Sequence, residues 1–110
     1  MTGVFEDRER GYEAKWAHDE ETFFQIMTKR DAGLGQWAAE TMQLSPGEAD
    51  DYVKAVISAS LTGKGKEPVF EKIRADFNAK KVACPDSIIR RKMKDLFDQA
   101  TAAVLGKKKS

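Results

Sequence analysis

The sequence predicts an all-α protein, a four-helix bundle with a flexible or partly helical N-terminal arm. Three observations carry that prediction. Apolar residues recur in steps of three, four and seven along four segments, the spacing of one helix face. No window alternates apolar and polar residues as a half-buried strand would. Proline, glycine and serine cluster at 45–47, 62–68 and 84–87, between those segments. Four amphipathic helices joined by short loops pack most simply as a bundle. The 110 residues, 41% hydrophobic and 34% charged, suit one small domain with a modest core.

The opening stretch, FEDRERGYEAKWAHDEE (5–21), mixes dense charge with large rings. On a helix Phe5, Tyr12, Trp16, Phe23 and Met27 share a stripe, broken by Asp19 and Glu20. Gly11 lies in its middle and Glu6–Arg10 is its clearest helical ion pair, so as an isolated helix it is marginal in water. Two readings stay open on composition alone. The first helix can begin near Phe5 and pack Tyr12 and Trp16 on the bundle. Alternatively, residues 1–20 form an arm that becomes helical in a partner's groove, with the rings as anchors and the arginines at the rim. We take the second division: an arm over 1–20 and a bundle domain over 21–110.

Within the bundle, the first helix should bury Phe23, Met27, Leu34, Trp37, Ala38 and Thr41/Met42. Gly33 and Gly35 interrupt it, each at a cost of about 1 kcal/mol unless a close crossing needs the missing side chain; Gly35 is the better candidate for such a crossing. SPGE at 45–48 is a capping box with Pro46 at the first helical position, opening a second helix with the stripe Ala49, Tyr52, Val53, Val56, Ile57 and Ser60/Leu61. TGKGKE reads as a loop. Pro68 opens a third helix whose buried face is Val69/Phe70, Ile73 and Phe77, with Val82 after it. A fourth, capped by Cys84 or Asp86, carries Ile89, Met93, Leu96/Phe97, Ala100 and Val104 and should stop at Gly106.

The formal net charge of +1 gives no bias toward nucleic acid or an anionic membrane, but the charge is sorted along the chain. Residues 5–21 hold seven acids against three bases, and residues 89–110 hold seven bases against Asp95 and Asp98. The lone Cys84 allows no internal disulfide and reads as a small packed residue. No apolar stretch resembles a secretory signal or a bilayer span, so the sequence reads as a soluble cytoplasmic protein with no direct membrane insertion. Enzyme motifs are missing, and the only imidazole, His18, sits in a charged segment where it reads as solvated or as a pH switch. The expectation is therefore a non-enzyme with no catalytic residues and no metal. The basic cluster Arg90, Arg91, Lys92 and Lys94 could touch phosphates, and Arg90, Arg91, Lys94 and the lysine tail allow a second reading, a helical adaptor or weak RNA binder, although no aromatic residue alternates with the cluster and acids interrupt it.

FEDRERGYEAKWAHDEE, GQWAAE, PVFEKIRADF and IIRRKMKDL, in this order and at these separations, closely resemble the zeta subunit of bacterial F-type ATP synthases, a family of small ATPase inhibitors. The resemblance implies a four-helix bundle whose N-terminal arm inserts at a catalytic interface of the alpha and beta subunits near the gamma rotor, blocking rotation in the hydrolytic direction. It further implies that Phe5, Asp7, Arg8, Glu9, Arg10, Tyr12, Lys15, Trp16 and His18 make the inhibitory contacts. The protein would be a monomer when free and peripheral to the inner membrane through the synthase. The resemblance implies weak adenine nucleotide binding by the bundle but assigns it to no residue, and no other cofactor is expected. Gly11 stands where relatives commonly carry a better helix former, and Gly33 where a larger apolar residue is usual.

Overall fold

The structure is a computed structural model that describes residues 20–63 and 67–109, without the side chains of 107–109. Four helices follow in order: α1 (Glu20–Thr41), α2 (Pro46–Thr62), α3 (Pro68–Ala79) and α4 (Asp86–Lys109). No strand occurs among the described residues. The all-α, four-helix expectation therefore holds.

α1 is the central helix, packed along α2 on one side and α4 on the other. Both approaches use glycine. A Cβ on Gly35 would lie 2.8 Å from the Cα of Val53, so α1 and α2 touch backbone to backbone there, as the sequence suggested. A Cβ on Gly33 would lie 3.1 Å from Cδ2 of Leu96, letting α4 close in as well. Leu34 and Ala38 then meet Val56, Val69, Phe70, Ile73, Phe77 and Ile89 in the main core. Trp37 sets its ring edge-on to Phe77 at 5.6 Å and 64°. A smaller cluster of Ile26, Ala100 and Val104 joins the N-terminal half of α1 to the C-terminal half of α4.

The helix ends follow local chemistry. Ser45 Oγ accepts from the Glu48 N–H and Glu48 returns to the Ser45 N–H at 3.0 Å, closing the predicted capping box. α1 and α3 both end in Schellman motifs. Leu44 N–H donates to Ala39 O (3.0 Å) and Val82 N–H to Phe77 O (2.8 Å), leaving Gln43 and Lys81 at φ 59°. Arg74 to Asp86 (2.6 Å) and Arg90 to Glu67 (2.6 Å) tie α3 to α4.

Three expectations need correction. Over the first turns of α1 the buried face is turned by one residue, Thr22 and Ile26 being buried whereas Phe23 is 43% exposed and Met27 half-buried; from Leu34 to Ala38 it is the expected one. A wheel anchored on the larger rings picked the wrong edge of the stripe. α4 continues through Gly106 to Lys109, because a glycine with no atom within 4 Å of its Cβ position only weakens a helix. Neither Cys84 nor Asp86 caps α4. The Ile89 N–H donates to Pro85 O, so Asp86 is already helical and its carboxylate is taken by Arg74.

Candidate functional site

All nine predicted partner-binding residues, Phe5, Asp7, Arg8, Glu9, Arg10, Tyr12, Lys15, Trp16 and His18, lie outside the described residues. What is described is the set of four helices that follows them in the chain. Among the described residues Phe23 (43%), Phe24 (50%), Leu61 (59%) and Ile88 (47%) are the large exposed apolar side chains. Ile88 is on the first turn of α4; the other three gather where α1 begins. α1 and α2 are antiparallel with Gly35 against Val53, and Met27 shares a cleft with Ser60, so the start of α1 and the end of α2 share one end of the bundle. Residues 24, 28, 31 and 35 fall on one face of α1, the face that meets α2. Val53, Ile57 and Leu61 form the i+4 row of α2. Phe24 thus lies on the side of α1 that carries Gly35, and Leu61 lies two turns beyond Val53 on α2, turned toward solvent. Sequence patterning pointed to Leu61 as core and missed Phe24.

Asp31 is a second finding the sequence did not signal by type. It is a carboxylate 1% exposed in mid-helix, compensated by its neighbour Arg30, whose Nε and Nη2 donate to Oδ1 at 3.0 and 2.7 Å. Its position on the 24–28–31–35 face was the available clue. Arg30 also lines a cleft of about 340 Å³ with Met27, Ser60, Glu67, Pro68, Val69 and Met93. Apolar walls with one guanidinium and one carboxylate can hold an apolar group with a polar edge. A smaller cleft of about 240 Å³ lies beside Tyr52, whose hydroxyl donates to Asp76 at 2.8 Å. Burial first, and then that carboxylate, push the phenol well above its ordinary range.

The basic cluster of α4 is largely occupied within the bundle. Arg90 grips both oxygens of Glu67 (2.6 and 3.1 Å) and stacks over Phe70 at 4.1 Å, holding the Glu67 carboxyl below its ordinary range. Lys94 reaches Asp98 at 3.0 Å, and Lys92 lies over Trp37 at 6.0 Å. Arg91 is exposed. Among the described residues no group of three or more His, Cys, Asp or Glu could hold a metal, and no helix is long and apolar enough to cross a membrane.

A family model described as ATPase inhibitor subunit zeta matches residues 1–103, nearly the whole chain and the arm with it. The chain belongs to that family. Neither a curated protein nor a solved structure matches it. Membership gives the zeta-family chain an ATPase-inhibitor role in association with the ATP synthase, and its four helices are the described part of that inhibitor.

Proposed function

We propose that this chain inhibits ATP hydrolysis sterically, without catalysis of its own. The arm, residues 1–20, wedges as a helix at a catalytic interface of the alpha and beta subunits near gamma. Phe5, Tyr12 and Trp16 act as buried anchors, with Asp7, Arg8, Glu9, Arg10, Lys15 and His18 around them. One observation carries the reading: the family match begins at residue 1 and so takes in the charged, ring-bearing segment as well as the bundle. The bundle at 21–110 then serves as the holder of the arm, monomeric when free and peripheral to the inner membrane on the cytoplasmic side through the synthase. The reading as an adaptor or RNA binder loses support because Arg90, Lys92 and Lys94 are engaged by Glu67, Trp37 and Asp98. The weak adenine nucleotide binding implied by the family resemblance would find room in the cleft of Met27, Arg30 and Met93. Methionine methyl signals followed during an ATP titration test it.

Adding the protein to the purified cognate ATPase head and following ATP hydrolysis tests the main reading. Trp16→Ala should weaken inhibition about thirtyfold, the equivalent of losing one aromatic anchor worth roughly 2 kcal/mol. Inhibition unaltered by both Trp16→Ala and Tyr12→Ala would remove the arm from the interface.

A further inference from the structure

We propose that the cleft beside Tyr52 binds a small apolar monoanion, a single carboxylate on an aliphatic or aromatic body. The cleft lies where the turn after α1 passes α2 and α3, and its volume is about 240 Å³. That volume is the share of about eight liquid waters, so a ligand of roughly eight to ten heavy atoms fills it. Its walls are apolar: Met42 and Leu44 from the turn, the Tyr52 ring from α2 and Ala79 from the end of α3. Met42 and Tyr52 also pack against the main core, which fixes the floor of the cleft before any ligand arrives.

The charge on the rim decides the sign of the ligand. Lys72, Asp76 and Lys80 follow one another at helical spacing along the edge of the cleft. The carboxylate among them is already satisfied: Oδ2 of Asp76 accepts from the Tyr52 hydroxyl at 2.8 Å and from Lys72 Nζ at 3.0 Å. The phenol, pushed up first by burial and then by Asp76, stays neutral and adds no negative charge. Lys72 also lies 5.1 Å from the centroid of the Tyr52 ring, so the ring face that would attract a cationic ligand is taken. The Lys80 ammonium, by contrast, has no ion pair among the described residues. It acts at longer range on Glu48, adding to the larger effect of the Ser45 hydrogen bonds that hold that carboxyl low. Two ammoniums against one carboxylate leave a single positive charge in excess over apolar walls. One free ammonium matches one carboxylate, and the apolar body of the ligand covers the walls. The site involves neither the arm nor the ATPase head, so it stands or falls apart from the inhibitor reading.

The test uses the full-length protein with carbon-13 in its methionine methyl groups, titrated with octanoate. Met42 lines this cleft, whereas Met27 and Met93 line the other one, so each cleft carries its own reporter. Met42→Leu identifies the Met42 signal. Octanoate should move that signal along a saturable curve with a dissociation constant on the order of millimolar, as suits a ligand of this size in an open cleft. The Met27 and Met93 signals should stay, and so report an intact fold. Octylammonium, the same chain with the opposite charge, should bind about tenfold more weakly. Lys80→Gln should weaken octanoate about twofold to fivefold, the loss of one exposed charge pair. Ala79→Phe, at an exposed wall position, fills the cleft with its own ring and should abolish the saturable shift while Met27 and Met93 keep their parent signals. Equal binding of octanoate and octylammonium overturns the proposal, as does an octanoate affinity unchanged by Lys80→Gln or by Ala79→Phe. Octanoate that moves Met27 and Met93 but not Met42 would overturn it as well, by placing the ligand in the other cleft.

Discussion

Gly35 and Gly106 show how one residue type can have opposite worth. At Gly35 an added methyl meets the Cα of Val53 at 2.8 Å, where neither backbone can yield, so Gly35→Ala should destabilise by about 1–3 kcal/mol. At Gly106 nothing stands in the way, and Gly106→Ala should stabilise by about 0.5–1 kcal/mol. Urea denaturation of the two variants checks both signs. The first was legible in the sequence, because a glycine inside an apolar helical stripe asks for a reason; the second was misread as a stop. Nor does composition reveal the left-handed Gln43 and Lys81, where no glycine or asparagine marks the turn. Only the apolar residues after them, Leu44 and Val82, hinted at Schellman ends. Lys81→Gly should raise stability by about 1 kcal/mol by relieving the left-handed backbone. The Arg30–Asp31 pair gives a sharper contrast. Arg30→Met leaves a carboxylate buried without its cation and should cost about 3 kcal/mol, while Arg30→Met/Asp31→Leu should recover most of that loss, as thermal melting of both proteins will show.

Among the elements, α2 and α3 were the most legible. Ser45, Pro46 and Glu48 announce the first turn of α2, and Val69, Phe70, Ile73 and Phe77 keep strict helical spacing and are all buried. α1 was less legible because glycine and alanine line its tightest faces, and such side chains weigh little in any hydrophobic pattern. The capping box also has a pH signature. Hydrogen bonds from the Ser45 backbone and hydroxyl hold the Glu48 carboxyl below its ordinary value of 4.5. A depressed carboxyl stabilises the fold above its unfolded value and loses that contribution as pH falls through the folded one. Ser45→Ala should therefore cost about 1 kcal/mol at pH 7, and the gap from the parent should narrow as the pH is lowered from 5 toward 3. A gap that stayed constant over that range would mean that Glu48 takes no part in the cap.

At the scale of the whole molecule, the sequence separates a charge-dense opening from a regularly patterned remainder. Its apolar stripes gave the bundle, and its quoted segments pointed to the zeta family that the match over 1–103 establishes. What they could not give was the contact partner of the arm's rings, since ring spacing is the same whether a ring faces a bundle or a foreign groove. A chain starting at Glu21 keeps every residue of both core clusters. It should fold with the helical circular dichroism of the parent bundle yet leave ATP hydrolysis by the purified head unchanged. Full inhibition by that shortened chain would relocate the inhibitory surface to the helices.

The central position of α1 also has a mechanical meaning. A rotor pressing on the arm would load the chain at Glu20, and that force enters the helix held along both flanks, by α2 at Gly35 and by α4 at Gly33 and Ile26. The load is then shared as shear between two long neighbours and does not peel a terminal element from the surface. The same clamping should appear at rest as the slowest amide hydrogen exchange, centred on residues 33–39, with α3 opening sooner because α2 and α4, and not α3, run along α1. An inhibitor built this way yields last where it is pulled first.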